Sequence, residues 1–337
     1  MVDKNNDKIS ESKNLIDKKD LIVDFYSNDF SNNAFSVFKS NNNIIYIIYS
    51  NVDNSIISYN LIKNEKLNEI KNAHENDITN IRYYLDNLYK REIILSVSSY
   101  DNNIKLWNIK NWECLFNIKN INRAGYLYSA SILNDNNNNY IITSNYYIFN
   151  PDPIKVFDIN LDKKKEINDS YESTKFITTY YDNKKDKNYI ITGNKGYLKS
   201  YDYKSNKVYH KYYYGLGWNT GLINMNKEED DIIRLLESEG KGEIRIWNFH
   251  SGELLKEINI KEIKNIYGFC FWDSKYLFIG CENNIIKMID LRNIKIIKNI
   301  NGHKDLVICI KKIIHPLYEE CLITGDSSGI LKLWLYT

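Results

Sequence analysis

The chain has 337 residues, 43% hydrophobic and 14% aromatic, with a formal net charge of +2, so it can build a large core. Near charge balance without a long basic block excludes the electrostatic footprint of a nucleic-acid binder, and mixed-sign stretches such as DNKKDKN (182–188) read as solvated loops. The five cysteines (Cys114, Cys270, Cys281, Cys309, Cys321) form no CxxC pair, which favours buried reduced thiols over a disulfide framework.

The N-terminal MVDKNNDKISESKN is charged and lacks the apolar core of a secretory signal. Residues 1–19 are therefore expected to be a flexible polar tail, and the protein to be intracellular, either cytoplasmic or nuclear. From DLIVDFYS (20–27) onward, short segments rich in Ile, Val, Tyr, Phe and Thr alternate with Asn, Asp or Gly turns. Even the longest apolar runs, such as IIYIIY (44–49), have strand length, so no membrane insertion is expected. DITNIRYY (77–84), EIILSVSSY (92–100), NIKLWNIK (103–110) and WECLFNIK (112–119) read as a four-stranded meander, with YDNN (100–103) as a tight turn. Alternation puts Ile104, Leu106 and Asn108 on one face and Lys105, Trp107 and Ile109 on the other. Apolar residues on both faces imply a sheet sandwiched between two neighbours. Further on, NDNNNN (134–139) is read as composition bias and solvated loop, because Asn, Lys, Ile and Tyr dominate and all have codons built from A and T.

An aromatic or apolar residue followed by Asp or Asn recurs as Tyr59-Asn60, Trp107-Asn108, Phe157-Asp158, Tyr201-Asp202, Trp247-Asn248 and Ile289-Asp290, ending at Trp334. The interval, roughly 42 to 50 residues, is that of propeller blades. GHKDLVICIKKI (302–313), ITGDSSGILKLW (323–334) and WNFHSGELL (247–255) resemble WD40 repeats, and the resemblance covers the chain from about residue 20 to its end. It implies an all-β, seven-bladed WD40-type β-propeller formed by residues 20–337 as one domain. It also implies that residues 20–27 lie beside ILKLWLY as the outer strand of the last blade, closing the ring and removing an exposed edge.

In the resemblance, His74 and His303 occupy the family's Gly-His position. There the imidazole is a structural group bonded to a strand hydroxyl, a turn Asp and the blade Trp. Thr324 and Trp334 serve the last blade, where Ser328 stands at the expected Asp. Asp101 and Trp107 serve the second, where Val97 replaces the hydroxyl. Both networks are thus expected to be incomplete. Trp247 marks the fifth blade. His210, His250 and His315 read as surface or loop residues without metal-ligand spacing.

YYGLGWNTG (213–221) has a GxGxxxG spacing and no helix after it to receive a phosphate. The acidic ESEGKGE (237–243) falls on a hairpin tip, and no GxSxG or Walker loop occurs. No catalytic site, cofactor or metal is expected. No adjacent Arg-Arg pair occurs, against the phosphoinositide-binding propellers. MIDLRN (288–293) partly resembles the WDxR motif of cullin-RING substrate receptors, through Asp290 and Arg292 but with Ile289 in place of Trp.

Partner contacts are expected on one face and sector of the ring. SNYYIFNPDPI (144–154) supplies Tyr146, Tyr147 and Phe149; YYYGLGWNTG (212–221), read as a loop, supplies Tyr214, Leu216 and Trp218; NRAGY (122–126) supplies Arg123 and Tyr126. Exposed Tyr, Trp and Arg are enriched at binding hot spots, though these side chains would equally serve as a structural cap folded over the channel. The reading is a non-catalytic interaction scaffold or adaptor for other proteins or peptides, within a larger assembly. The alternatives are a substrate receptor of a cullin-RING ubiquitin ligase, and then an enzyme or small-molecule binder.

Overall fold

A computed structural model describes residues 21–22 and 35–335, apart from short gaps at 52, 87–88, 120, 122–124, 136–137, 147–150, 159–162, 168–169, 172, 175, 228–232, 240–241, 264, 274, 282, 318 and 329. The expected tail at 1–19 lies outside the described residues.

A short strand, β1 (Leu21–Ile22), precedes the first sheet, β2 (Phe35–Lys39), β3 (Ile45–Ser50), β4 (Ile56–Asn60) and β5 (Glu65–Ile70). The second sheet is β6 (Ile78–Asp86), β7 (Arg91–Ser98), β8 (Asn103–Asn108) and β9 (Cys114–Ile118), the meander expected from the sequence. The third is β10 (Ala130–Asp135), β11 (Asn138–Thr143), β12 (Lys155–Asp158) and β13 (Lys163–Glu166). Next come β14 (Phe176–Asp182), β15 (Lys187–Asp202), β16 (Lys207–Lys227), β17 (Ile233–Glu239), β18 (Glu243–Asn248) and β19 (Leu254–Asn259), hydrogen-bonded as one six-stranded sheet. Then follow β20 (Ile266–Phe271), β21 (Tyr276–Cys281), β22 (Ile286–Asp290) and β23 (Lys295–Ile300). The last sheet is β24 (Val307–His315), β25 (Glu319–Asp326) and β26 (Ile330–Leu335), with β1 added at its edge.

The fold is an all-β propeller. It has six sheets among the described residues, which corrects the expected seven blades. The cause is local. Residues 212–221, expected as a loop between the fourth and fifth blades, stay extended inside the 21-residue β16. β16 pairs with β15 up to Trp218 and with β17 from Asn219, so pairing runs from one repeat into the next without a break. Of the expected closing strand, Leu21 and Ile22 pair antiparallel with Leu331 and Ile330, and residues 23–27 lie outside the described residues.

The cores sit between sheets, as apolar residues on both faces of each sheet require. Ile93, Leu95, Ile104 and Leu106 of the second sheet pack with Leu127, Ala130 and Ile132 at the start of the third. Phe35, Val37, Ile45 and Ile47 of the first sheet share a cluster with Ile323 and Leu331 of the last. Burial at this density contributes about 25 cal/mol for each Å² of apolar surface removed from water.

The asparagine-rich composition has a conformational use. Asn43, Asn54, Asn64, Asn72, Asn102, Asn206 and Asn284 all have positive φ between 49° and 61°, a left-handed conformation that Asn tolerates better than most side chains. Asn102 lies in the expected YDNN turn.

Cysteine placement is mixed. Cys281 and Cys321 are buried and Cys270 and Cys309 half-buried, but Cys114, at the start of the outer strand β9, is exposed. None of the five is joined in a disulfide among the described residues.

Candidate functional site

Three connections between strands meet on one side of the second and third sheets. They are the β7–β8 turn, the β9–β10 connection and the β11–β12 connection. Tyr126 N donates to Tyr146 O at 3.1 Å and Tyr146 N to Tyr126 O at 2.9 Å, a small antiparallel bridge between two loops. Asn102 Nδ2 donates to Gly125 O at 3.1 Å, tying in the turn.

This scaffold aligns four tyrosines. The rings of Tyr100 and Tyr126 lie 5.2 Å apart at 72°, Tyr126 and Tyr128 6.3 Å apart at 77°, and Tyr128 and Tyr146 5.0 Å apart at 83°. All three contacts are edge-to-face, the geometry favoured by the ring quadrupoles. Tyr100 is 57% and Tyr126 42% exposed. Beside them Asn145 is buried, and neither atom of its carboxamide has a hydrogen-bond partner among the described residues. Its backbone oxygen accepts Thr174 N at 2.8 Å, which brings the β13–β14 connection, with the exposed Tyr171, to the same side.

Of the partner-binding residues read from the sequence, Tyr126 and Tyr146 come together here. Arg123, Tyr147 and Phe149 lie outside the described residues. Tyr214, Leu216 and Trp218 are not on a loop. Their backbone belongs to β16, where Trp218 pairs with Lys195, and this corrects the reading of the segment as a loop. Tyr100 and Tyr128 were not singled out by the sequence. The available signal was position: Tyr100 sits at a hairpin tip and Tyr128 at the entry to an inner strand.

The two Gly-His positions are structural, and both networks differ from expectation. In the last sheet His303 Nε2 lies 2.6 Å from Thr324 Oγ1, and Trp334 Nε1 donates to the same oxygen at 2.7 Å. Asp326, not position 328, supplies the acid, with Oδ2 2.8 Å from His303 Nδ1, so this network is complete. Burial pushes the Asp326 carboxyl up, but hydrogen bonds from His303, Ser328 and Ile330 outweigh it and hold its pKa below the ordinary value. Gly302 before it has φ +147, and a Cβ there would stand 2.9 Å from the Trp334 ring.

In the second sheet Ser96 supplies the hydroxyl where Val97 was expected to leave a gap. Its Oγ accepts Trp107 Nε1 at 2.8 Å and lies 2.8 Å from His74 Nε2. The incomplete side is the acid. Asp101 accepts Glu75 N at 2.9 Å and Asn76 N at 3.1 Å, and its Oδ2 stays 3.9 Å from His74 Nδ1. Burial, then repulsion from Lys105, pushes His74 down to about 3 against the attraction of Asp101, so it is neutral at pH 7. The Trp247 indole N–H is buried without a hydrogen-bond partner among the described residues.

Of the remaining histidines, read as surface or loop residues, His250 does lie in the turn after β18, whereas His210 and His315 lie in strands. His315 is buried at the end of β24, its Nδ1 accepting Leu317 N at 3.1 Å. His250 links two parts of the six-stranded sheet, with Nε2 2.9 Å from Asp182 and Nδ1 3.0 Å from Tyr209 Oη. His210 Nε2 donates to His250 O at 2.6 Å. Arg292 folds back onto Asp290 through two charge-assisted bonds, Nε to Oδ1 at 3.0 Å and Nη2 to Oδ2 at 2.9 Å. Those bonds hold the Asp290 carboxyl down at about 2. No helix among the described residues is long and apolar enough to cross a membrane.

The family described as WD domain, G-beta repeat (WD40) matches residues 65–108, which run from β5 through β8. The match contains His74, Ser96, Asp101 and Trp107. No curated protein matches the chain.

Proposed function

We propose, on the premise that this chain is a β-propeller of the WD40 family, that it is a non-catalytic scaffold that offers the tyrosine face to a partner protein or peptide. WD40 propellers generally act as protein-interaction scaffolds. The observation that carries the reading here is the run Tyr100–Tyr126–Tyr128–Tyr146, which is held by backbone bonds and partly open to solvent. Rigid aromatic rings on a rigid sheet present contact area with little ordering cost on binding. Arg123, Tyr147 and Phe149, outside the described residues, are included in the proposed contact surface on the sequence pattern alone. The Leu21–Ile22 pairing with β26 supports closure of the ring by the N-terminal strand.

The test is affinity capture from native extract with mass spectrometry. Wild type is compared with a Tyr100→Ala, Tyr126→Ala double variant whose melting temperature shows it folded. Specific partners lost in the variant support the reading; partners retained in full reject this face. A cullin-RING receptor role is the second reading, favoured by Arg292, whose side chain is 53% exposed. In the same capture, Arg292→Ala should then lose a cullin adaptor while the fold persists.

A further inference from the structure

The inner strands β2, β6, β14 and β24 border a cavity of about 380 Å³, within the range of small-ligand pockets. Its walls are aromatic: Phe35, Phe38 and Phe176 line it, and Phe38 stacks on Tyr83 at 3.9 Å and 8°. Its charge is one-signed. Arg82 and Lys311 are the ionisable cations of the lining, no carboxylate residue lines it, and neither cation forms an ion pair among the described residues.

Arg82 is positioned but not neutralised. Nη2 donates to Ile177 O at 2.7 Å and to Ser129 Oγ at 3.2 Å, both uncharged, and the guanidinium lies 5.1 Å from the centre of the Phe176 ring. Its Nε and Nη1 donate to no described residue. On the same lining, Asn80 Oδ1 is a buried acceptor without a hydrogen-bond partner among the described residues. A cation held by neutral partners in a partly desolvated site favours an anion, and an orphaned carbonyl favours an N–H donor.

We infer that this cavity receives the C-terminus of a peptide ending in an apolar residue. The carboxylate sits on Arg82, with Lys311 adding a second positive charge. The last amide N–H donates to Asn80 Oδ1, and the terminal side chain packs on Phe35, Phe38 and Phe176. A phosphate monoester meets the two cations but brings no amide donor for Asn80. None of the four tyrosines of that face lines the cavity, and its test is independent of that reading.

N-Acetyl-Gly-Phe with a free carboxylate is titrated into the full chain by calorimetry, beside its C-terminal amide and phenyl phosphate. The acid is expected to bind one to one and the amide about tenfold more weakly, the value of one lost charge-assisted contact. Raising salt from about 0.05 M to about 0.5 M should weaken the acid severalfold. Because Arg82 also links β6 to β14, its substitution risks the fold, so the exposed Lys311→Met carries the genetic test and should weaken the acid about fivefold. Asn80→Ala should weaken the acid but leave phenyl phosphate unchanged. No saturable binding of the acid, equal binding of acid and amide, or indifference to Lys311→Met overturns the inference. Tighter binding of phenyl phosphate than of the acid makes this a phosphate site and overturns it equally.

Discussion

Replacing Thr324 by Val probes the network that anchors the last sheet. The side chain is fully buried and Val keeps its shape, so the change removes chemistry and leaves no cavity. Two partners are stranded at once: the Trp334 indole N–H loses its acceptor at 2.7 Å, and His303 Nε2 loses the hydroxyl at 2.6 Å. The Thr324 hydroxyl accepts from the indole and donates to His303 Nε2, while His303 Nδ1 donates to Asp326 Oδ2. Each buried group left without a partner costs about 1–3 kcal/mol, which puts the variant about 3 kcal/mol below wild type. Thr324→Ser keeps the oxygen and loses one methyl, about 1 kcal/mol. Urea unfolding followed by far-UV circular dichroism measures both. A Val variant as stable as the Ser variant would refute the argument that the hydroxyl, rather than packing, holds His303 and Trp334.

Other expectations follow from single features. His74 is held down to about 3 by burial first, against an ordinary value near 6.5, so the unfolded chain takes up its proton before the folded one. Its contribution is intact above about pH 6.5 and is lost as pH falls toward 3, about 3 kcal/mol by pH 4.5; His74→Asn should flatten that part of the stability–pH curve, and an unchanged slope sinks the assignment. Gly280→Ala puts a Cβ 2.2 Å from the Val307 carbonyl oxygen, a backbone atom that cannot swing away. It should destabilise by about 2 kcal/mol or more in thermal melts, whereas a neutral result means that β21 and β24 are not so close. Thiol labelling of the native chain should modify Cys114 first. Cys321, buried and with its thiol pushed up to about 11 chiefly by desolvation, should react only after unfolding, and early labelling there contradicts its placement.

Much of the architecture was legible in short segments. Period-two alternation with apolar residues on both faces, as in NIKLWNI, already required sheets stacked face to face, and the recurrence of Trp107, Trp247 and Trp334 required a repeat. These follow from composition and local order, which need no distant contact. The blade count did not follow from the marks. Whether 212–221 turns or stays extended depends on pairing with β15 and β17, and that pairing merged two repeats into one sheet.

The residues completing each histidine network were likewise decided in three dimensions. Ile94 pairs with Trp107, so Ser96, two residues on, shares the tryptophan's face and Val97 points to the other. In the last sheet Leu322 pairs with Trp334, and Thr324 and Asp326 follow at steps of two. A shift of one residue reverses which side chain faces the histidine, and register is a property of the sheet. The tyrosine face is the furthest from the sequence: Tyr100, Tyr126, Tyr128 and Tyr146 belong to three separate connections, brought together by the packing of the second sheet on the third. Local preference determined that this chain would form stacked β-sheet repeats. Long-range pairing and packing decided how many sheets formed and which polar side chains met.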